Sequence, residues 1–155
     1  MGSRRVGLVS DTHGLLRPAL LDALEGCELI VHAGDVGRPE VLDGLRQAAP
    51  VVAVRGNVDR GPWAQELRLT EVVEVGQALL YVIHDLYDLD LDPVAAGFQA
   101  VISGHSHKPR SYRERGVLYI NPGSAGPRRL RLPISAALLH VADGDLQVEW
   151  IELPG

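Results

Sequence analysis

Asp11-Thr12-His13, Gly34-Asp35, Gly56-Asn57, His84 and Gly104-His105-Ser106-His107 place carboxylate, amide and imidazole donors at five points along the first 107 residues. Each of these side chains has a lone pair to offer a divalent cation. Oxygen and imidazole donors without thiolate suit Mn, Fe, Zn or Ni, and four imidazoles are softer than Mg or Ca prefers. Cys27 is the only cysteine, which excludes a structural zinc site of the thiolate type. Asp35 carries two oxygens, enough to bridge two ions. The i, i+2 spacing of Asp11 with His13, and of His105 with His107, projects each pair the same way from extended chain. The expectation is a site for two divalent metal ions held by Asp11, His13, Asp35, Asn57, His84, His105 and His107.

Each donor follows a run of Val, Ile, Leu or Ala, so each stands where a buried strand releases the chain into a loop, the place where open α/β sheets bind ligands. The front half alternates in pattern. Strands are expected at Val6–Ser10, Leu29–His32 and Val51–Val54, and helices at Pro18–Leu24 and Pro39–Gln47, each with proline at its first turn. That alternation implies parallel pairing with right-handed crossovers. Beyond it, Leu67–Val75 and Ala78–Ile83 read as a hairpin, Pro93–Phe98 as a short helix and Ala100–Ser103 as a buried strand. Ser111–Arg115, Val117–Ile120, Ile134–His140 and Leu146–Leu153 read as further strands, with tight turns at Arg115-Gly116 and Asp143-Gly144. Two packed sheets with helices outside accommodate this order. The stretch Pro122–Pro133, rich in Pro, Gly and Arg, reads as an ordered loop beside the site.

A chain of 155 residues fits one domain, 1–155, able to bury roughly 70% of its unfolded surface. The lone Cys27 forms no internal disulfide, is read as a buried small hydrophobe, and is compatible with a reducing cytoplasm. The apolar stretch after Arg4-Arg5 stops at Asp11, far short of a signal segment, and no apolar run reaches the ~18 residues a membrane span needs. The net charge of −5 argues against binding nucleic-acid polymers. Its distribution is uneven: Lys108 to Arg131 holds seven basic residues and one acidic, net +6, leaving −11 elsewhere. That excess is either a solvated strand face or an attraction for a phosphate-bearing substrate. His32, inside an apolar strand, reads as a hydrogen-bonded core residue near the site, and His140 as a core or surface residue.

With these motifs in order, from Asp11-Thr12-His13-Gly14 to Asn121-Pro122-Gly123-Ser124, the chain resembles the calcineurin-like metallophosphoesterase superfamily. More narrowly it resembles the small single-domain bacterial and archaeal phosphodiesterases, relatives of the retromer scaffold subunit. The resemblance implies a four-layer αββα sandwich of two mixed sheets flanked by helices. It implies that Asp11, His13, Asp35 and His107 hold one metal and Asp35, Asn57, His84 and His105 the other, with Mn the favoured ion. It also implies hydrolysis of a phosphate ester by a hydroxide bridging the two ions, with Asp35, Asn57 and His105 as the catalytic residues. Arg17, Asn121, Gly123 and Ser124 are expected to contact the phosphate, their other reading being loop structure.

Two positions depart from the family pattern. Many members carry a His directly after the motif Asn, where it can protonate the leaving group; here the residue is Val58. The expected consequence is a preference for diesters and for good leaving groups over alkyl monoesters. Asp85 follows His84 where Gly is usual, and it reads either as a partner orienting an imidazole or as a turn carboxylate. Three functions stay open: a metal-dependent phosphodiesterase, a non-catalytic scaffold or binding protein of the same fold, and a phosphomonoesterase of small metabolites. A homodimer through an exposed C-terminal edge strand is a further possibility.

Overall fold

A computed structural model describes residues 3–155. The chain builds two five-stranded sheets. The first has the order β10-β9-β1-β2-β3 and the second β4-β5-β6-β8-β7. In the first, β1 (Arg4–Val9), β2 (Leu29–His32) and β3 (Val51–Ala53) run parallel, joined through α1 (Pro18–Ala23) and α2 (Pro39–Arg46). The C-terminal strands β9 (Ser135–Ala142) and β10 (Asp145–Glu152) are antiparallel additions beside β1. The second sheet takes β4 (Thr70–Val75), β5 (Ala78–Ile83), β6 (Ala100–Ile102), β7 (Arg110–Glu114) and β8 (Val117–Asn121), with β5, β6 and β8 parallel.

Period-two alternation decides which side chains meet between the sheets. Val6 and Leu8 of β1 pack there with Leu80 and Val82 of β5, Ile102 of β6 and Ile120 of β8. The opposite face of the first sheet presents Val9, Ile30 and Leu138 to Leu20 and Leu24 of the α1 region and to Val41, Leu42 and Leu45 of α2. The spacing of those three α2 residues is that of one apolar helix face. Cys27 joins this layer, 7% exposed.

The outer layer over the second sheet is thinner than the four-layer expectation. It consists of a one-turn 3₁₀ helix at Leu86–Asp88 and the four-residue α4 (Pro93–Ala96). With Leu86, Leu89, Leu91 and Phe98 they cover Tyr81, Ile83, Val101 and Val117, while β7 lies mostly exposed. The one-turn helix α3 (Pro62–Gln65) and the 3₁₀ turn lay outside the sequence-based expectation. Helix 93–98 stops short because Gly97 takes a left-handed φ of 86°. The strand expected from Leu67 begins at Thr70; Arg68 instead makes an isolated parallel bridge to Val54 of the first sheet before the chain crosses to the second. The turns at Arg115-Gly116 and Asp143-Gly144 have positive φ at both residues, as two-residue hairpin turns require. Among the described residues no helix is long and apolar enough to cross a membrane.

Candidate metal centre

Strands β1, β2, β3, β5 and β6 end on the same side of the molecule, and the loop after each delivers donors to one cluster. Asp11, His13 and His107 lie with donor atoms within 4.8 Å of one another, as do Asp35, His84 and His105. Asn57 sits against the second group, its side-chain oxygen 2.9 Å from His84 Nε2 and 3.3 Å from His105 Nδ1. Asp35 also reaches the first group, with Oδ2 3.7 Å from His13 Nε2 and 3.3 Å from His84 Nε2. All seven residues named from the sequence as metal donors are therefore together, and Asp35 stands between the two groups.

The backbone is bent into rare conformations to achieve this. Asp11, His13, Asp35, His105 and His107 have φ between 48° and 72°, a left-handed region disfavoured for side chains larger than glycine. Backbone hydrogen bonds hold the loops in place: Asp11 N–H donates to Gly34 O and His13 N–H to Asp35 O, both at 3.0 Å. Gly34 has φ 103°, and a Cβ there would stand 2.6 Å from His84 Nδ1. At Gly56 a Cβ would strike the backbone nitrogen and Oδ1 of Asp35. The glycines that precede donors in the sequence are thus spaces that neighbouring donors occupy.

Each donor atom is aimed by what its other atoms do. The Asp11 Oδ2 accepts from the Ser10 hydroxyl at 2.6 Å and from His105 N–H at 3.0 Å. Its Oδ1 has no hydrogen-bond partner and lies 3.4 Å from His107 Nε2. His84 Nδ1–H donates to Ala33 O at 2.7 Å, which leaves the Nε2 lone pair facing Asp35 and Asn57. Asp59, buried at 6% exposure, accepts from Gly37 N–H at 2.9 Å and from Gly56 N–H at 2.8 Å, tying two donor loops together. Ser10 and Asp59 were not identified from the sequence. The only signal for Asp59 is a carboxylate two residues after the motif Asn, and Ser10 gives none.

The donor set fits divalent cations on the evidence of its own unmet bonds. Four buried side-chain atoms among the described residues lack a hydrogen-bond partner, and three of them are Asp11 Oδ1, His13 Nε2 and His107 Nδ1. The Asn57 oxygen also lies 3.1 and 3.3 Å from the two Asp35 carboxylate oxygens. The Asn57 amide serves the cluster in either orientation: its NH₂ turned inward donates to Asp35 and the two imidazoles, and its oxygen turned inward completes the donor set for a cation.

Proton affinities follow the same crowding. The Asp11 carboxylate 3.7 Å away raises the pKa of His13 against the opposing effect of burial. For His84 burial works downward, but hydrogen bonds to Asp35 and Ala33 prevail and the net shift is upward. Burial pushes His107 down. Asp35 is held at about 2: burial opposes ionisation, and His84, the Val58 N–H and His13 together outweigh it.

The four residues expected at the phosphate make contacts within the loops. The Arg17 guanidinium donates to Gly126 O at 3.2 Å and Pro154 O at 3.4 Å. The Asn121 amide donates to Gly104 O and Ser106 Oγ while its oxygen accepts from Gly123 N–H. Ser124, 4% exposed, donates to Asp11 O at 2.9 Å. Gly123 has φ 80°, and a Cβ there would strike Ser135 Oγ. Ser124 and Asn121 thereby support the loops that carry Asp11 and His105, because loop backbone buried beneath the site needs partners of its own. Of the two readings of Asp85 the turn carboxylate is realised, with Oδ1 accepting from Tyr87 N–H at 3.1 Å, while Oδ2 lies 3.7 Å from His105 Nε2, beyond hydrogen-bond distance.

Two cavities flank the cluster and share Asp85. One, of about 530 Å³, runs from His105 along the outer face of β8 and β7; the other, of about 490 Å³, is lined by Asn57, His84, Arg55, Asp88 and Asp90.

The Calcineurin-like phosphoesterase superfamily domain matches residues 5–144. A "probable metallophosphoesterase" of Methanocaldococcus jannaschii is 33% identical over 165 residues, covering 98% of this chain and 83% of that protein. Among solved structures, Vacuolar Protein Sorting 29 from Cryptosporidium parvum superposes with a TM-score of 0.77 at 20% identity, covering 100% of each chain. An archaeal phosphodiesterase superposes with a TM-score of 0.72 at 20% identity, covering 96% of this chain and 99% of its own. Two mixed sheets, donors delivered by successive strand ends, and a family match over almost the whole chain lead to one statement: the chain belongs to the calcineurin-like phosphoesterase superfamily.

Proposed function

We propose that the chain is a metal-dependent phosphodiesterase. Asp11, His13, Asp35 and His107 would hold one divalent ion and Asp35, Asn57, His84 and His105 the other; the mixed oxygen and imidazole set suits Mn, Fe, Zn or Ni, and the family resemblance favours Mn. The observation that carries this reading is the gathering of Asp11, His13 and His107 into one donor group and of Asp35, His84 and His105 into another, with the Asn57 amide against the second. A pair of such ions, when bound, polarises a phosphoryl oxygen and lowers the pKa of water.

The chain's own residues supply the rest. Asp35, ionised far below neutral pH, is a fixed negative charge between the two donor groups. Asn57 and His105 stand at the open side of the cluster, both exposed, where a phosphoryl group enters. Val58 offers no proton to a leaving group, so good leaving groups are favoured. Two cavities on either side of the cluster suit a phosphorus atom with two ester arms better than one with a single arm. The archaeal phosphodiesterase of the same fold supports the reading. The likeness to Vacuolar Protein Sorting 29 favours a second one, a binding scaffold, against which stands a donor set with no member missing.

The test is hydrolysis of bis(p-nitrophenyl) phosphate and p-nitrophenyl phosphate by metal-stripped protein to which Mn²⁺ is returned. An Asn57→Ala, His105→Ala double variant serves as the comparison. The diester should be cleaved with the higher kcat/KM and the variant should be inert. Equal rates for wild type and variant would remove the catalytic reading, and preference for the monoester would remove the diesterase assignment.

A further inference from the structure

The cavity that begins at His105 and Asp85 has a wall of unusual make-up. Tyr112 on β7 and Tyr119 on β8 are directly opposed across the strand pair, and their rings lie within 3° of parallel with centroids 5.0 Å apart. The Arg110 guanidinium lies 4.6 Å from the Tyr112 ring centroid, and Lys108 lines the same space. Tyr87, 98% exposed, stands on the opposite rim. Cross-strand aromatic pairs also stabilise hairpins; another aromatic pair, Tyr81 of β5 with Phe98 of the loop before β6, is buried as packing between the second sheet and its outer layer. Tyr112 and Tyr119 differ in position: Tyr119 packs at the margin of the outer-layer cluster, and both rings line the cavity that His105 also lines.

We propose that this cavity receives a nucleoside arm of the phosphodiester substrate, its base packed on the Tyr112–Tyr119 wall with the Arg110 guanidinium. The inference rests on the phosphodiesterase reading and names the substrate class for that site. Aromatic rings and guanidinium planes bind bases of any identity through their π-faces. The volume of about 530 Å³ lies in the range of small-molecule sites. Charge distinguishes the two cavities: Lys108 and Arg110 outweigh the shared Asp85 here, whereas Asp85, Asp88 and Asp90 outweigh Arg55 in the other cavity and disfavour a second anion there. The arm opposite the nucleoside is therefore uncharged or small.

The probes are thymidine 5′-monophosphate and 2-deoxyribose 5-phosphate, which differ only in the base. Their binding to the full chain in Mn²⁺ is measured by calorimetry, alongside hydrolysis of bis(p-nitrophenyl) phosphate. Thymidine 5′-monophosphate should bind at least about tenfold tighter, and the gap should shrink below about threefold in Tyr112→Ala and in Arg110→Ala. Arg110 is exposed, so its replacement keeps the fold, and an unchanged melting temperature verifies this. Equal affinity of the wild type for the two probes overturns the proposal, as does an unchanged gap in both variants. Loss of diester hydrolysis in the wild type overturns the phosphodiesterase reading instead, since the binding comparison is read without turnover.

Discussion

Asp85 and Asn57 lie on opposite sides of the His105 ring: Asp85 Oδ2 is 3.7 Å from Nε2, and the Asn57 oxygen is 3.3 Å from Nδ1. A carboxylate on the Nε2 side keeps the proton there and leaves Nδ1 as the donor. Asp85→Asn retains an oxygen for the Tyr87 N–H cap but loses the charge. It should weaken Mn²⁺ binding about tenfold with little loss of stability, whereas Asp85→Ala should cost both. Calorimetric Mn²⁺ titration and urea unfolding of both variants check this; equal affinity in Asp85→Asn and wild type would show that the capping role is all Asp85 has.

Gly56→Ala places a methyl against the Asp35 backbone nitrogen and Oδ1, neither of which can swing away. The loop must shift, at a cost of about 1–3 kcal/mol, and the Asn57 donor shifts with it. Urea unfolding should report the lost stability and metal analysis a reduced Mn²⁺ content. Full metal content in a stable variant would contradict the close packing.

His32 accepts from Gly34 N–H at its Nδ1 (3.1 Å), so its Nε2–H donates to Thr12 Oγ1 (2.9 Å), whose hydroxyl donates to Val36 O (3.0 Å). Burial lowers its pKa to about 4 from an ordinary 6.5. Between those values the unfolded chain takes up a proton that the folded chain refuses, so stability falls as pH drops from 6.5 towards 4. The full loss is about 3 kcal/mol. Metal-free wild type should lose more stability between pH 7 and 4.5 in urea unfolding than a His32→Gln variant does. Identical losses would mean that His32 titrates normally.

Val58 is 42% exposed while its N–H donates to Asp35 Oδ1 at 3.0 Å, so the side chain can change without disturbing that bond. Val58→His should raise kcat/KM for diphenyl phosphate relative to bis(p-nitrophenyl) phosphate, on the order of 10²-fold for a well-placed general acid. An unchanged ratio would show that position 58 does not reach the leaving oxygen.

The seven donors were legible in the sequence because each is a polar residue stopping an apolar run, and parallel strands bring such stops to one edge. Strands Leu29–His32 and Ala78–Ile83 were legible to the residue because β-branched runs end abruptly at Ala33 and His84. The loop contacts of Arg17, Asn121 and Ser124 were not, because phosphate contact and loop support call on the same donors and the carbonyls that accept from them, on Gly126, Pro154, Gly104 and Asp11, carry no signal in the sequence. Of the thin layer over the second sheet the short helix from Pro93 was legible, whereas Leu86–Asp88 was hidden because a single 3₁₀ turn is too short to carry a helical period.

The strand order β10-β9-β1-β2-β3 puts the first strand of the chain between its second and its ninth. Asp11 O waits for Ser124, 113 residues away, and Arg17 for the carbonyl of Pro154, 137 residues away. Contacts of such separation form slowly, since a long loop must close before they return any stabilisation. During synthesis, β1, β2 and β3 can pair early, but the first donor loop stays without its supports until the last strands leave the ribosome. The loop that carries Asp11 and His13 therefore reaches its full set of bonds only when Ser124 and Pro154 are in place.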